Sequence, residues 1–195
     1  MALLSNAIAA LCCVGLLAVP TAAVSDDDLA QRAAASRAAV KLTQAALQQE
    51  LQAALQKGGP ELAIHACSTR ALAIAKEASQ TQNMIIRRTS LKLRNQRDAP
   101  DQWERQVLKR FEQRKRRGED PSQLEYYELV ETDGAKEFRY MKAIAIPRGG
   151  PCLVCHGEHI DPALRAKING RYPGDEATGF KEGDLRGAFS VRQRL

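Results

Sequence analysis

Cys152-Leu153-Val154-Cys155-His156 places two thiols one helical turn apart and an imidazole directly after the second. Thiols at that spacing can form thioethers with the two vinyl groups of a haem, while the adjacent imidazole reaches the iron. The motif therefore predicts one covalently attached haem c, with His156 as an axial metal ligand. Zinc is the rival. Cys152, Cys155 and Cys67 with one of His65, His156 or His159 would supply a Cys3His tetrahedron. Thiolate sites are uncommon in the oxidising compartment argued for below, which counts against it. A thioredoxin-like Cys-x-x-Cys needs a strand leading into its helix, and Arg148-Gly149-Gly150-Pro151 precedes the motif here.

With His156 on one side of the iron, the opposite position is open or is filled by Cys67, Met84, Met141, His65 or His159. His159 lies three residues from His156 and cannot easily reach the far face of the ring. Both methionines fall in strand-like segments. Cys67 shares a helical stripe with Ala63, Ala71, Ile74 and Ala78 and is expected to point inward, whereas His65 falls with Thr69, Leu72 and Lys76 on a more polar face. The alanines Ala63, Ala66 and Ala71 would leave room for a flat macrocycle beside Cys67. A buried, inert thiol is the bland reading of the same position.

The compartment follows from the chain start. Residues 1–25 carry no charged side chain, and Ile8 to Val19 is nearly all apolar, the length of a signal-peptide core. Pro20 and the small residues up to Ser25 precede the acidic run Asp26-Asp27-Asp28. Residues 1–25 are thus expected to be a signal segment or, if uncleaved, an anchor, with one domain over 26–195. A periplasmic or otherwise exported location follows. Membrane contact is expected only through an uncleaved segment. Cys12 and Cys13 lie inside the apolar run, leaving Cys67, Cys152 and Cys155, an odd count that argues against a pure disulfide framework.

A chain of 195 residues, 44% hydrophobic and 27% charged, can bury one sizeable core. The net charge of +6 is densest at Lys109 to Arg117, which reads as a solvated helix face or a docking surface for an acidic partner. Nucleic acid is not expected as the partner of an exported domain.

The elements that must position the motif are legible as periodicity. Asp26 to Lys57 has helical spacing and stops at Gly58-Gly59-Pro60; a second helix runs from Glu61 to about Ala78. Met84 to Leu91 is β-branched and strand-like, Lys92 to Pro100 a loop, and Asp101 to Arg117 a helix with Trp103, Val107, Leu108 and Phe111 on its apolar stripe. Tyr126 to Thr132 and Lys136 to Ile146 form a hairpin about Asp133-Gly134. A short helix starts at Asp161-Pro162 and is expected to end at Asn169-Gly170; a last strand spans Ala188 to Arg192. The class is α+β, two long N-terminal helices with a small antiparallel sheet.

Four ordered blocks carry a family resemblance: Ala63 to Ala75, Arg87 to Glu104, Cys152 to Gly157, and Gly179 to Val191. The chain resembles single-haem c-type domains with a PAS-like fold, found as small secreted proteins and as extracytoplasmic input domains of sensors. The resemblance implies mixed His/Cys axial ligation, at the positions of His156 and Cys67. It also suggests that Arg87, Arg88, Arg94 and Arg97 meet haem propionates, against the plainer reading of exposed arginines. Gln96 departs from the proline expected in that segment.

An iron with both axial positions filled by protein leaves no vacant site for a substrate, so a non-enzymatic role is expected. Electron transfer with a redox partner is the first reading. A redox- or gas-sensing module acting through a separate signalling protein is the alternative, and a structural zinc module the second.

Overall fold

The computed structural model describes residues 24–132 and 134–195. Residues 1–23, most of the expected signal segment, with Cys12 and Cys13 fall outside them, as does Asp133 of the expected hairpin turn. Among the described residues no helix is long and apolar enough to cross a membrane.

Helix α1, Asp26–Gln82, opens at Ser25, whose side chain accepts from the Asp28 amide at 3.2 Å, with three aspartates complementing the positive end of the helix dipole. It is broken only at Gly58 and Gly59. Gly59 has φ 64°, a conformation that favours glycine, and Pro60 follows where a helix start tolerates a missing N–H. The chain reverses there. Glu50 and Arg70 come within 3.8 Å, whereas twenty residues of straight helix would hold them about 30 Å apart. Leu51, Ala54, Leu55, Leu62, Ala63 and Ala66 pack the two arms together. The two expected N-terminal helices are the arms of this hairpin.

The sheet runs β1-β4-β3-β2, every pair antiparallel, with β1 Ile85–Thr89, β2 Glu125–Thr132, β3 Ala135–Ala145 and β4 Leu185–Arg194. Strand alternation sends Ile86, Phe138, Tyr140, Phe189 and Val191 to one face, where Ala33, Ala39 and Val40 of the first α1 arm cover them. Met141, Ala143 and Ala188 face the other way, onto Val107, Leu108 and Phe111 of α2, Gln102–Arg116. The sheet is therefore a layer between α1 and α2. Asp101 and Glu104 form a reciprocal capping box at the start of α2, and Arg139 of β3 binds Asp101 at 2.6 Å, fixing the helix to the sheet.

Helix α3 is Cys152–His156 and α4 is Pro162–Arg171. α4 passes the expected stop at Asn169-Gly170 by one residue, continuing to Arg171 and capping at Tyr172. Tertiary packing overrides the local signal, because Ile168 and Tyr172 are buried with Leu164 and with Ile64 of the second α1 arm.

One irregularity shapes the site. Ile144 pairs with Gly187 but Ala145 pairs with Leu185, so Arg186 is the extra residue of a β-bulge. Gly187 is tightly enclosed: an added Cβ would stand 2.3 Å from the Thr89 carbonyl oxygen. Gly187→Ala should therefore force β1 and β4 apart and cost about 1–3 kcal/mol of stability. A denaturant midpoint equal to that of the unaltered protein would contradict this.

Candidate functional site

Helix α3 holds the three motif residues in little more than one turn. Its end is stitched to the segment after α4. The His156 carbonyl accepts from the Phe180 amide at 3.0 Å, and the Gly157 carbonyl from Gly179 at 2.9 Å. Gly157 itself admits no side chain, since a Cβ would meet the Leu153 oxygen at 2.5 Å.

The imidazole of His156 is fixed by three features. Its Nδ1 lies 2.7 Å from the Ala177 carbonyl oxygen, which can only accept, so that nitrogen carries the proton and Nε2 keeps its lone pair. Phe180 meets the ring edge-on, with centroids 6.3 Å apart at 87°. Burial, reinforced by Arg186 and Arg94, holds the imidazole pKa well below its usual value. A neutral ring with one free nitrogen is the form that ligates a metal.

Cys67 corrects the sequence expectation of an inward-packed thiol. It is exposed, although Ala63 and Ala71, one turn to either side on the same stripe, are buried. Its surroundings nevertheless push the thiol pKa up through burial, opposed by the positive charges of Arg88, Arg94 and Arg186. The stripe continues; its cover does not. Helical spacing reports the direction of a side chain but not whether anything stands opposite it.

The same three guanidinium groups act on both Cys67 and His156. Cys155 in turn senses Cys67 and Cys152, and Tyr172 senses Cys67. Cys67 thus lies within charge-interaction range of Cys155 on the motif turn and of the arginines that act on His156. Burial raises the pKa of all three thiols, which favours their neutral forms.

The arginines divide differently from the sequence expectation. Arg87 is taken by the Glu104 carboxylate and by the carbonyls of Arg97 and Ala99. Arg94 is paired with Asp175 at 3.0 Å. Arg97 is exposed, its amide bound by Asn95 as the loop closes in a short 3-10 turn that begins at Gln96. Arg88 remains, on the α1 side of β1, in alternation with buried Ile86. Arg186 joins it and escaped the sequence reading, because only the bulge at Gly187 turns it toward Ser90, Lys92 and Phe180. Among the described residues, neither Arg88 nor Arg186 is ion-paired with a carboxylate. Burial, with the charges of Arg94 and Arg88, lowers the Arg186 pKa to about 10. Asp175 and Asp98 offset part of the Arg186 charge, and Asp98 also interacts with Arg88, so the two arginines form a basic wall that is only partly compensated.

The remaining candidates lie elsewhere. His65 is exposed and lines a hollow of ≈ 200 Å³ with Glu61, Ile64, Lys167 and Arg171. His159 is exposed. Met84 packs on the α1-side core and Met141 is buried in the α2-side core. In the basic stretch, Arg114 pairs with Glu119, Lys115 with Asp184, and Arg110 stacks 4.1 Å from the Tyr126 ring, so much of it is a locally compensated helix face. Among the described residues, no three His, Cys, Asp or Glu side chains are grouped to hold a metal ion, which leaves the Cys3His zinc site without a geometry.

A long N-terminal helical hairpin packed on a four-stranded antiparallel sheet defines an α+β domain, with the Cys-x-x-Cys-His turn at its side. The chain belongs to the Tll0287-like family, whose sequence pattern matches residues 22–194. It is similar to the crystal structure of the cyanobacterial heme-protein Tll0287, with 25% identity and a TM-score of 0.58 over 88% of this chain and 97% of that one. No curated protein matches it.

Proposed function

We propose that this protein is an exported monohaem c-type cytochrome that transfers electrons. Its haem would be attached through Cys152 and Cys155, and its iron ligated by His156 and Cys67. The observation that carries this reading is the His156 ring on α3, directly after the two thiols, with Nδ1 held 2.7 Å from the Ala177 carbonyl oxygen and Nε2 left to ligate; the charges of Arg88, Arg94 and Arg186 act on it and on Cys67. A group with two carboxylates and a metal centre fits that wall. Family membership and the similarity to a heme-protein support the same cofactor.

When bound, the haem supplies a one-electron Fe(III)/Fe(II) couple. The protein's part is to hold and shield it. Cys152 and Cys155 would hold the ring to α3; Ala177 keeps the proton on Nδ1 of His156 and leaves Nε2 for a metal; Arg88 and Arg186 would offset carboxylate charge on the bound group. Cys67, on the second α1 arm, would be the second ligand and, as a thiolate, would stabilise Fe(III). Filling both axial positions from the protein argues for electron transfer over catalysis. The PAS-like reading of the sheet and its helices belongs to this proposal, with sensing through a separate partner as the second reading.

The test is the absorption spectrum of the full chain expressed in a host that matures c-type cytochromes. A Soret band that survives acidified-solvent extraction, with one iron per chain, is expected. A colourless protein carrying stoichiometric zinc would overturn the proposal.

A further inference from the structure

Arg94 stands closer to the motif than its charge alone would require. Its Nη2 donates to the Cys155 carbonyl at 2.5 Å and to the Ala177 carbonyl at 3.3 Å, while its Nε and Nη2 hold the two Asp175 oxygens at 3.2 and 3.0 Å. Asp175 closes the loop by accepting the Ala177 amide at 2.9 Å. The pair is enclosed, with side-chain exposure of 12% for Arg94 and 0% for Asp175. One ion pair therefore grips both the turn that carries the motif and the peptide whose carbonyl receives the His156 Nδ1 proton.

We propose that Arg94, held by Asp175, is a positioning residue that orients His156 and sets the strength of its Nδ1–H hydrogen bond to Ala177, and so the donor strength of Nε2 toward a bound metal. The proposal rests on the haem reading above and deepens it. The Ala177 oxygen serves two donors. The guanidinium competes for its electron density and weakens the bond from Nδ1–H, which keeps the ring less imidazolate-like. Partners on the non-ligating nitrogen tune a histidine ligand in this way. Without the guanidinium, Ala177 accepts from His156 alone, the ring becomes a stronger donor, and Fe(III) gains relative to Fe(II).

Removing one member of a buried pair leaves an uncompensated charge and risks unfolding. The variants are therefore Arg94→Gln with Asp175→Asn, which removes both charges together, and Arg94→Lys, which keeps the positive charge but cannot span Asp175 and both carbonyls. The measurements, on the haem-loaded protein, are the reduction potential, the low-spin EPR spectrum of the oxidised form and the melting temperature. Both variants are expected to move to a more negative potential with altered g-values. A purely structural brace would lower the melting temperature and leave potential and EPR unmoved, which would overturn the proposal, as would a shift to a more positive potential. The two readings fail separately: an unaltered protein without a Soret band sinks the haem assignment, whereas a normal Soret band with an unmoved potential in both variants sinks only the role of Arg94.

Discussion

Replacing both motif cysteines, Cys152→Ala together with Cys155→Ala, is expected to abolish haem retention on a denaturing gel almost completely. Two thioethers are the only covalent links the motif offers, and the proposed ligation by His156 and Cys67 would not survive denaturation. The fold should survive the change. Both side chains are partly buried at the margins of small clusters, Cys152 beside Ile146, Ala177 and Phe180, and Cys155 beside Ile64, Leu164 and Ile168. Trimming a partly covered side chain to alanine costs about 1 kcal/mol at each site, well within the stability of a domain this size. Haem staining beside the unaltered protein, with far-UV circular dichroism as the check on folding, reads the outcome. Stain that persists in the double variant would remove these cysteines from the attachment.

The motif was legible because its chemistry is local, and the same holds for the elements whose signals are local. The Asp101–Glu104 capping box, the turn at Gly134 and the break at Gly58-Gly59-Pro60 each write their conformation in a few adjacent residues. What the sequence hid depends on partners distant along the chain. Arg87 and Arg94 look alike in sequence to Arg88. Glu104 and Asp175, 17 and 81 residues away, take the first two and leave the third. Arg186 would face α2 if β4 kept strict alternation; the bulge reverses it, and Gly187 signals the bulge only once Thr89 is known to lie against it. Cys67 shows the limit of periodicity most clearly, since the stripe was right and the inference of burial was not.

Cys67→Ala carries the largest expected electronic effect. An anionic thiolate stabilises Fe(III), so its loss should raise the reduction potential on the order of 100 mV, within the roughly 0.8 V range over which axial ligands act. The oxidised Soret band should shift, and the haem should stay covalently bound because Cys152 and Cys155 are untouched. Burial raises the thiol pKa and Arg88, Arg94 and Arg186 oppose it only in part, so the thiolate would depend on the metal to hold it deprotonated. Stability gives a control. Cys67 is exposed and outside the buried clusters, so the alanine variant should unfold within about 0.5 kcal/mol of the unaltered protein when both lack haem. A changed spectrum without a changed stability then reports ligation and not repacking. Identical Soret bands and potentials in the two proteins would exclude Cys67 from the ligand set and leave His156 with a different partner or an open site.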